Sequence, residues 1–113
     1  MVWFESVVAM PGYQVKQLNV YPGVSLSLQS HKYRSEHWVV VCGTATVVLD
    51  EDLLTIEANE SVYIRSGQKH RLSNTKSGIL VVIEVQTGSY LGEDDKIRYE
   101  DVYSRICEVD VGQ

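Results

Sequence analysis

The feature that most limits what this chain can fold into is a two-residue alternation of apolar and polar side chains. It recurs in short runs rich in Val, Ile, Thr and Tyr, separated by turn residues, and helical periodicity is hard to find. Successive side chains on a strand point to opposite faces, so such runs bury one face and leave the other in water. The pattern predicts strands at residues 13–21, 24–31, 37–41, 44–50, 53–57, 61–64, 70–73 and 79–86. Pro22-Gly23, Gly43, Asp50-Glu51-Asp52 and Ser66-Gly67-Gln68 supply turns between them. Eight short strands at this spacing imply an all-β sandwich or closed barrel, in which antiparallel sheets limit their exposed edges. After Gly88 the alternation stops, and YLGEDDKIRYEDVYSRI predicts a charged loop with a short helical turn near 99–105.

At 113 residues the chain has room for one core, so residues 1–113 are expected to form a single domain with a barrel at about 12–88 and an extension at 89–113. The net charge of −5 and the scatter of its ten Lys and Arg residues argue against a nucleic-acid partner. No apolar run approaches the roughly 20 residues that span a bilayer, which predicts a soluble, cytoplasmic protein without a membrane partner. Cys42 and Cys107 lie far apart with no signal peptide before them, so reduced thiols are expected, Cys42 as a small core residue.

The stretch LQSHKYRSEHW, residues 28–38, places two of the three histidines of the chain beside Gln29 and Glu36. On a strand, Val24, Leu26 and Leu28 share one face, while Gln29 and His31 project together from the other. A turn through 32–35 brings in Glu36, and closure of a barrel can deliver His70 from across the sheet. Gln29, His31, Glu36 and His70 then form an N/O donor set suited to a divalent transition metal. A metal-free, hydrogen-bonded patch would use the same side chains, but four positions that fit both a spacing rule and a stereochemical one favour the ion. His37 faces the other way and is expected at the surface or in a dimer contact; Trp38 and Val40 are expected in the core.

Gly23, Gln29, His31, Glu36 and Gly43 fit the pattern G-x5-H-x-H-x3-4-E-x6-G with Gln in place of the first His. Gly67, His70 and Asn74 fit G-x5-P-x-G-x2-H-x3-N, with Asn59 and Arg65 in place of its Gly and Pro. Asn tolerates positive φ better than other non-glycine residues, so a turn at 59 is compatible with the change. Both patterns resemble the cupin signature. The stretches GYQVKQLNVYPG, LSLQSHKYRSEHWVVVCGTA, YIRSGQKHRLSN and EVQTGSYLGEDDKIRYEDVYSR resemble, more narrowly, the cupin domain of type II mannose-6-phosphate isomerases over residues 12–105. The resemblance implies a double-stranded β-helix, or jelly-roll barrel, with Gln29, His31, Glu36 and His70 holding zinc. It also implies interconversion of mannose 6-phosphate and fructose 6-phosphate. In that family the domain usually follows a guanylyltransferase domain, whose activity is not expected of these 113 residues. His31-Lys32-Tyr33 replaces a run of histidines, and Met1-Val2-Trp3-Phe4 replaces Arg-Pro-Trp-Gly.

Such a reaction moves a proton between two carbons and needs a base. Glu84 shares a strand face with Leu80, Val82 and Gln86, and burial of that face would raise its pKa into a useful range, with a buried, hydrogen-bonded structural carboxylate as the equal alternative. A phosphate needs cations, for which Lys16 and Arg98 are candidates, although a surface charge is the plainer reading of Lys16. Arg71 ranks below them, because by alternation it points opposite to His70. Zn2+ is the expected ion, but the donor set also accepts Mn2+, Fe2+, Ni2+ or Co2+. The expected partners are a sugar phosphate or other small carbohydrate and a second copy of the chain, met through an outer sheet rich in Val and Leu. A cupin oxygenase and a non-catalytic sugar-binding or regulatory barrel are the rival expectations.

Overall fold

Strands β2 (Tyr13–Val20), β4 (Arg34–Cys42) and β9 (Leu80–Gly88) occupy the middle of one sheet, because each carries a long every-second-residue set of side chains that burial can use. In the computed structural model, which describes residues 2–99, β1 (Val2–Met10) and β7 (Ser61–Ile64) complete that sheet in the order β1-β2-β9-β4-β7. The second sheet contains β3 (Gln29–Ser30), β5 (Ala45–Leu49), β6 (Asp52–Ile56), β8 (His70–Ser73) and β10 (Ile97–Arg98), in the order β10-β3-β8-β5-β6. Every pairing is antiparallel. The described residues contain no helix, and none is long and apolar enough to cross a membrane.

The two sheets share one apolar core. Leu18, Val20, Trp38, Val40, Ile64, Leu80 and Val82 come from the first sheet and meet Ala45, Val47, Ile56 and Leu72 from the second. Each Val, Leu or Ile side chain among them, fully buried, stabilises the fold by about 1.5–3 kcal/mol. Tight turns return the chain between strands. Gly43 has φ +91°, and a Cβ there would lie 2.7 Å from the carbonyl oxygen of Ile79. Asn59 takes the same left-handed region with φ 73°, as the motif comparison requires of the residue replacing glycine.

The strands at 61–64 and 70–73 have the predicted bounds, and the others shift by a few residues. The described barrel reaches beyond 12–88 at both ends, through β1 and β10. Residues 24–31 do not form the continuous strand expected of them. Only Gln29–Ser30 and an isolated Ser25–Ser73 bridge have ladder character, with Leu26 N bonded to Leu72 O at 2.9 Å. The alternation there reflects the packing of Val24 and Leu26 against the core, which needs no complete ladder. Cys42 is exposed, not buried, because a register shift between Val40 and Cys42 breaks the alternation before the Gly43 turn. Of the helical turn expected at 99–105, residues 100–105 lie outside the described residues. Tyr99 is not helical, and its N–H bonds to Leu28 O at 2.9 Å.

Candidate metal centre

The inward face of the first sheet changes character along its strands. On β9 it runs Leu80, Val82, Glu84, Gln86, on β4 Arg34, Glu36, Trp38, Val40, and on β2 Lys16, Leu18, Val20, all of them buried. Because the strands are antiparallel neighbours, with Lys16 opposite Glu84 and Glu36 opposite Gln86, the polar positions gather at one end of the molecule. There they line a cavity of about 150 Å³, to which the second sheet adds Gln29 and His70, and the residue just after β3 adds His31.

His31, Glu36 and His70 are 4%, 2% and 2% exposed, and their donor atoms all lie within 4.8 Å of one another. Two ligands at about 2.0–2.1 Å from one ion stand at most about 4.2 Å apart, so adjustment of roughly half an ångström would let the three share a cation. Both imidazoles are set for that use. His31 donates Nδ1–H to the carbonyl of Asp95 at 2.6 Å, and His70 donates Nδ1–H to the carbonyl of Gln68 at 3.0 Å. In the neutral tautomer the Nε2 lone pairs are then left facing Glu36, whose carboxylate lies 3.3 Å from His31 Nε2 and 3.9 Å from His70 Nε2. Burial, the largest influence, lowers the pKa of His70 even against the neighbouring Glu36 carboxylate, which keeps the ring in the neutral form a metal requires.

Glu36 is held from both sides. Trp38 Nε1–H donates to Oε1 at 3.0 Å and Arg34 Nε–H to Oε2 at 2.9 Å. The other arm of Arg34 places Nη2 3.3 Å from His31 Nε2, so a bound cation would compete with this guanidinium for the same lone pair. Gln29 lines the cavity opposite His70 in register, and its buried Oε1 has no hydrogen-bond partner among the described residues. A buried amide oxygen left in that state is costly, and coordination to an ion in the cavity would satisfy it. The donor set therefore fits a divalent cation.

Glu84 is buried in the same cavity, and burial, followed by the negative charge of Glu36, pushes its carboxyl up to about 7. Gln86 donates an amide N–H to Glu84 Oε2, and Gln14 in turn donates to Gln86 Oε1. Lys16, for which the surface was the plainer expectation, faces inward. It is buried, and its ammonium pairs with Glu93 at 2.7 Å. Arg98 does not join the site: it is exposed on β10 and absent from the cavity lining, because that short edge strand turns its side chains outward. Arg71 reaches the lining although its strand position alternates away from His70. His37 is exposed, as expected, and stacks against Tyr63 with ring centroids 4.4 Å apart.

Sequence reasoning missed Arg34 and Glu93, and it read Asp95, with Asp94, as a binder of a sugar hydroxyl or, more plainly, a solvated loop charge, whereas Asp95 is buried and bonded to His31, Lys32 and Tyr33. Arg34 was legible: extending the alternation of Glu36, Trp38 and Val40 back by two residues reaches it. Glu93 and Asp95 lie in a loop with no periodicity, and only the folded chain brings them to Lys16 and His31.

A family profile described as Mannose-6-phosphate isomerase C-terminal matches residues 2–101. The xanthan biosynthesis protein XanB of Xanthomonas campestris pv. campestris is 50% identical over 102 residues, covering 90% of this chain and 22% of that protein. A mannose-1-phosphate guanylyltransferase of Escherichia coli K12 is 48% identical over 103 residues, covering 91% of this chain and 22% of that protein. The chain thus spans little more than a fifth of the length of these relatives. Among solved structures, a double-stranded β-helix protein of Klebsiella pneumoniae superposes with a TM-score of 0.78 at 17% identity, covering 88% of this chain and 80% of that one. The architecture is the double-stranded β-helix of the cupins.

Proposed function

Because the chain belongs to the family of mannose-6-phosphate isomerase C-terminal domains, we propose that it interconverts mannose 6-phosphate and fructose 6-phosphate, using a divalent cation held by Gln29, His31, Glu36 and His70. The observation that carries this reading is the sharing of one cavity by that donor set and by Glu84, a carboxyl with a pKa near neutrality. Zn2+ is the ion proposed, since imidazole and carboxylate donors suit it.

When bound, the ion supplies Lewis acidity, polarising the sugar carbonyl and its neighbouring hydroxyl. Glu84 takes the proton from C2 of mannose 6-phosphate. The C–H electron pair becomes the C1=C2 bond of an enediol, while the former carbonyl oxygen at C1 takes up a proton from solvent, balanced by the one the C2 hydroxyl gives back in the next step. Glu84 then returns its proton to C1 as the hydroxyl proton at C2 leaves, which gives the ketose. A carboxyl that ionises near pH 7 can serve in both directions, and the amide of Gln86 fixes its orientation. The cavity is smaller than the roughly 300–1,000 Å³ of usual ligand pockets, so the reacting end of the sugar enters and the phosphate stays at the mouth.

The dimer proposal rests on the outer face of the first sheet, where Val39, Val41 and Tyr63 are exposed together with His37. A cytoplasmic location is proposed with it, as suits a sugar-phosphate substrate.

The test of function is a coupled assay that follows fructose 6-phosphate formation with wild type beside Glu84→Gln. Conversion by the wild type and its loss in the variant support the reading. Conversion by neither, in folded and metal-loaded protein, overturns it. Bound iron with oxygen consumption in place of conversion would favour oxygenase chemistry.

A further inference from the structure

The ammonium of Lys16 lies on the inner face of β2, with only 10% of the side chain exposed. A lysine so buried needs a partner for its charge, and it has one in Glu93 Oε2 at 2.7 Å, with the ring of Phe4 beneath it, 4.8 Å from nitrogen to centroid. The pair is asymmetric. Glu93 is 60% exposed, and its other oxygen lies 4.0 Å from the ammonium of Lys96. The cation is fixed in the wall of the cavity, whereas the carboxylate sits at its mouth with solvent beside it.

The loop that carries Glu93 is anchored on either side of it. Before it, Leu91 O accepts a hydrogen bond from Gln14 Nε2 at 3.5 Å, and after it the carboxylate of Asp95 accepts the N–H groups of Lys32 and Tyr33 at 2.8 and 2.9 Å. Swinging Glu93 away from Lys16 therefore requires rotation of one side chain and no movement of the loop. Lys16, Lys96 and Glu93 all line the cavity that holds Glu84 and the metal-type donors.

We propose that Glu93 is a displaceable counter-ion for an anion subsite at this mouth, and that the phosphate of the substrate takes its place on Lys16 and Lys96. The inference deepens the isomerase reading and rests on it for the identity of the anion. The charges favour exchange: a phosphate monoester carries about −1.5 to −2 near neutral pH, which matches two ammonium groups where one carboxylate neutralises only one. Glu93 thus keeps Lys16 paired while the site is empty and sets how readily an anion enters.

The experiment is calorimetric titration of inorganic phosphate into the full metal-loaded chain, comparing wild type, Glu93→Gln and Lys16→Met. Glu93→Gln is expected to bind phosphate about three- to tenfold tighter, since one competing charge is gone. Lys16→Met is expected to bind it at least about tenfold more weakly, and Glu93→Gln should add nothing in that background. Unchanged or weaker binding in Glu93→Gln overturns the proposal, as does phosphate affinity indifferent to Lys16, which would place the anion on the ion instead. Should Lys16→Met fail to fold, Glu93→Gln and Lys96→Gln carry the test, with tighter and weaker binding expected in turn. Phosphate titration needs no turnover. The expected affinities without sugar conversion would overturn the isomerase reading alone, and conversion with Glu93-independent phosphate binding would overturn the subsite alone.

Discussion

His31 donates its Nδ1–H to the carbonyl oxygen of Asp95 across 2.6 Å, which joins a residue after β3 to one in the loop before β10. The bond turns the opposite ring nitrogen toward Glu36, and its geometry depends on where the loop holds Asp95. The carboxylate of Asp95 sets that position by capping the N–H groups of Lys32 and Tyr33. Asp95→Ala removes both caps and leaves every proposed ligand in place. Zinc affinity is expected to fall about 10–100-fold in a competition titration, the usual consequence of losing an outer-shell support. Unchanged affinity would mean that His31 is oriented by other contacts.

Glu84→Gln keeps the size of the side chain and removes the base. The rate of conversion is expected to fall by about 10²–10⁴, while metal content stays at the wild-type level. A variant that loses metal as well would assign Glu84 to the ion instead of to the proton.

The same residue governs a pH effect on folding in metal-free protein. Its folded pKa of about 7 stands above its ordinary 4.5, so the folded state holds the proton more tightly than the unfolded chain. The contribution of Glu84 to stability is therefore fully present below about pH 4.5 and is lost as pH rises through about 7. Urea unfolding in the presence of a chelator, run across that window, is expected to show wild type losing stability relative to Glu84→Gln. Parallel pH profiles for the two proteins would show that Glu84 is not desolvated.

Gly43→Ala combines a left-handed φ with a Cβ 2.7 Å from a backbone oxygen. It is expected to destabilise the fold by about 1–3 kcal/mol in chemical denaturation. Asn59→Gly, at φ 73° on an exposed turn, is expected to be neutral or slightly stabilising.

The sequence showed the site most clearly where periodicity and burial coincide. The inward face of Leu80, Val82, Glu84 and Gln86 is buried throughout, and β7 and β8 fall at their predicted bounds. Elements lacking that coincidence were illegible. In β1, residues 3–10 are all exposed, so no face of the strand is selected to be apolar and no alternation marks it. Val24 and Leu26 bury side chains without a continuous ladder, so the pattern there signalled burial and not pairing. His31, Glu36 and His70 were found because their spacing is local or belongs to a motif. Glu93 and Asp95 act through contacts 77 and 64 residues away, which no local pattern encodes.

The most direct measurement is the metal content of protein purified without added ions, wild type beside His70→Ala and Gln29→Ala, each confirmed as folded. About one equivalent of divalent metal in the wild type, strongly reduced in His70→Ala and weakened in Gln29→Ala, is the result expected. A folded wild type that takes up no divalent metal even at saturating zinc would contradict the metal centre, and with it the isomerase chemistry built on it.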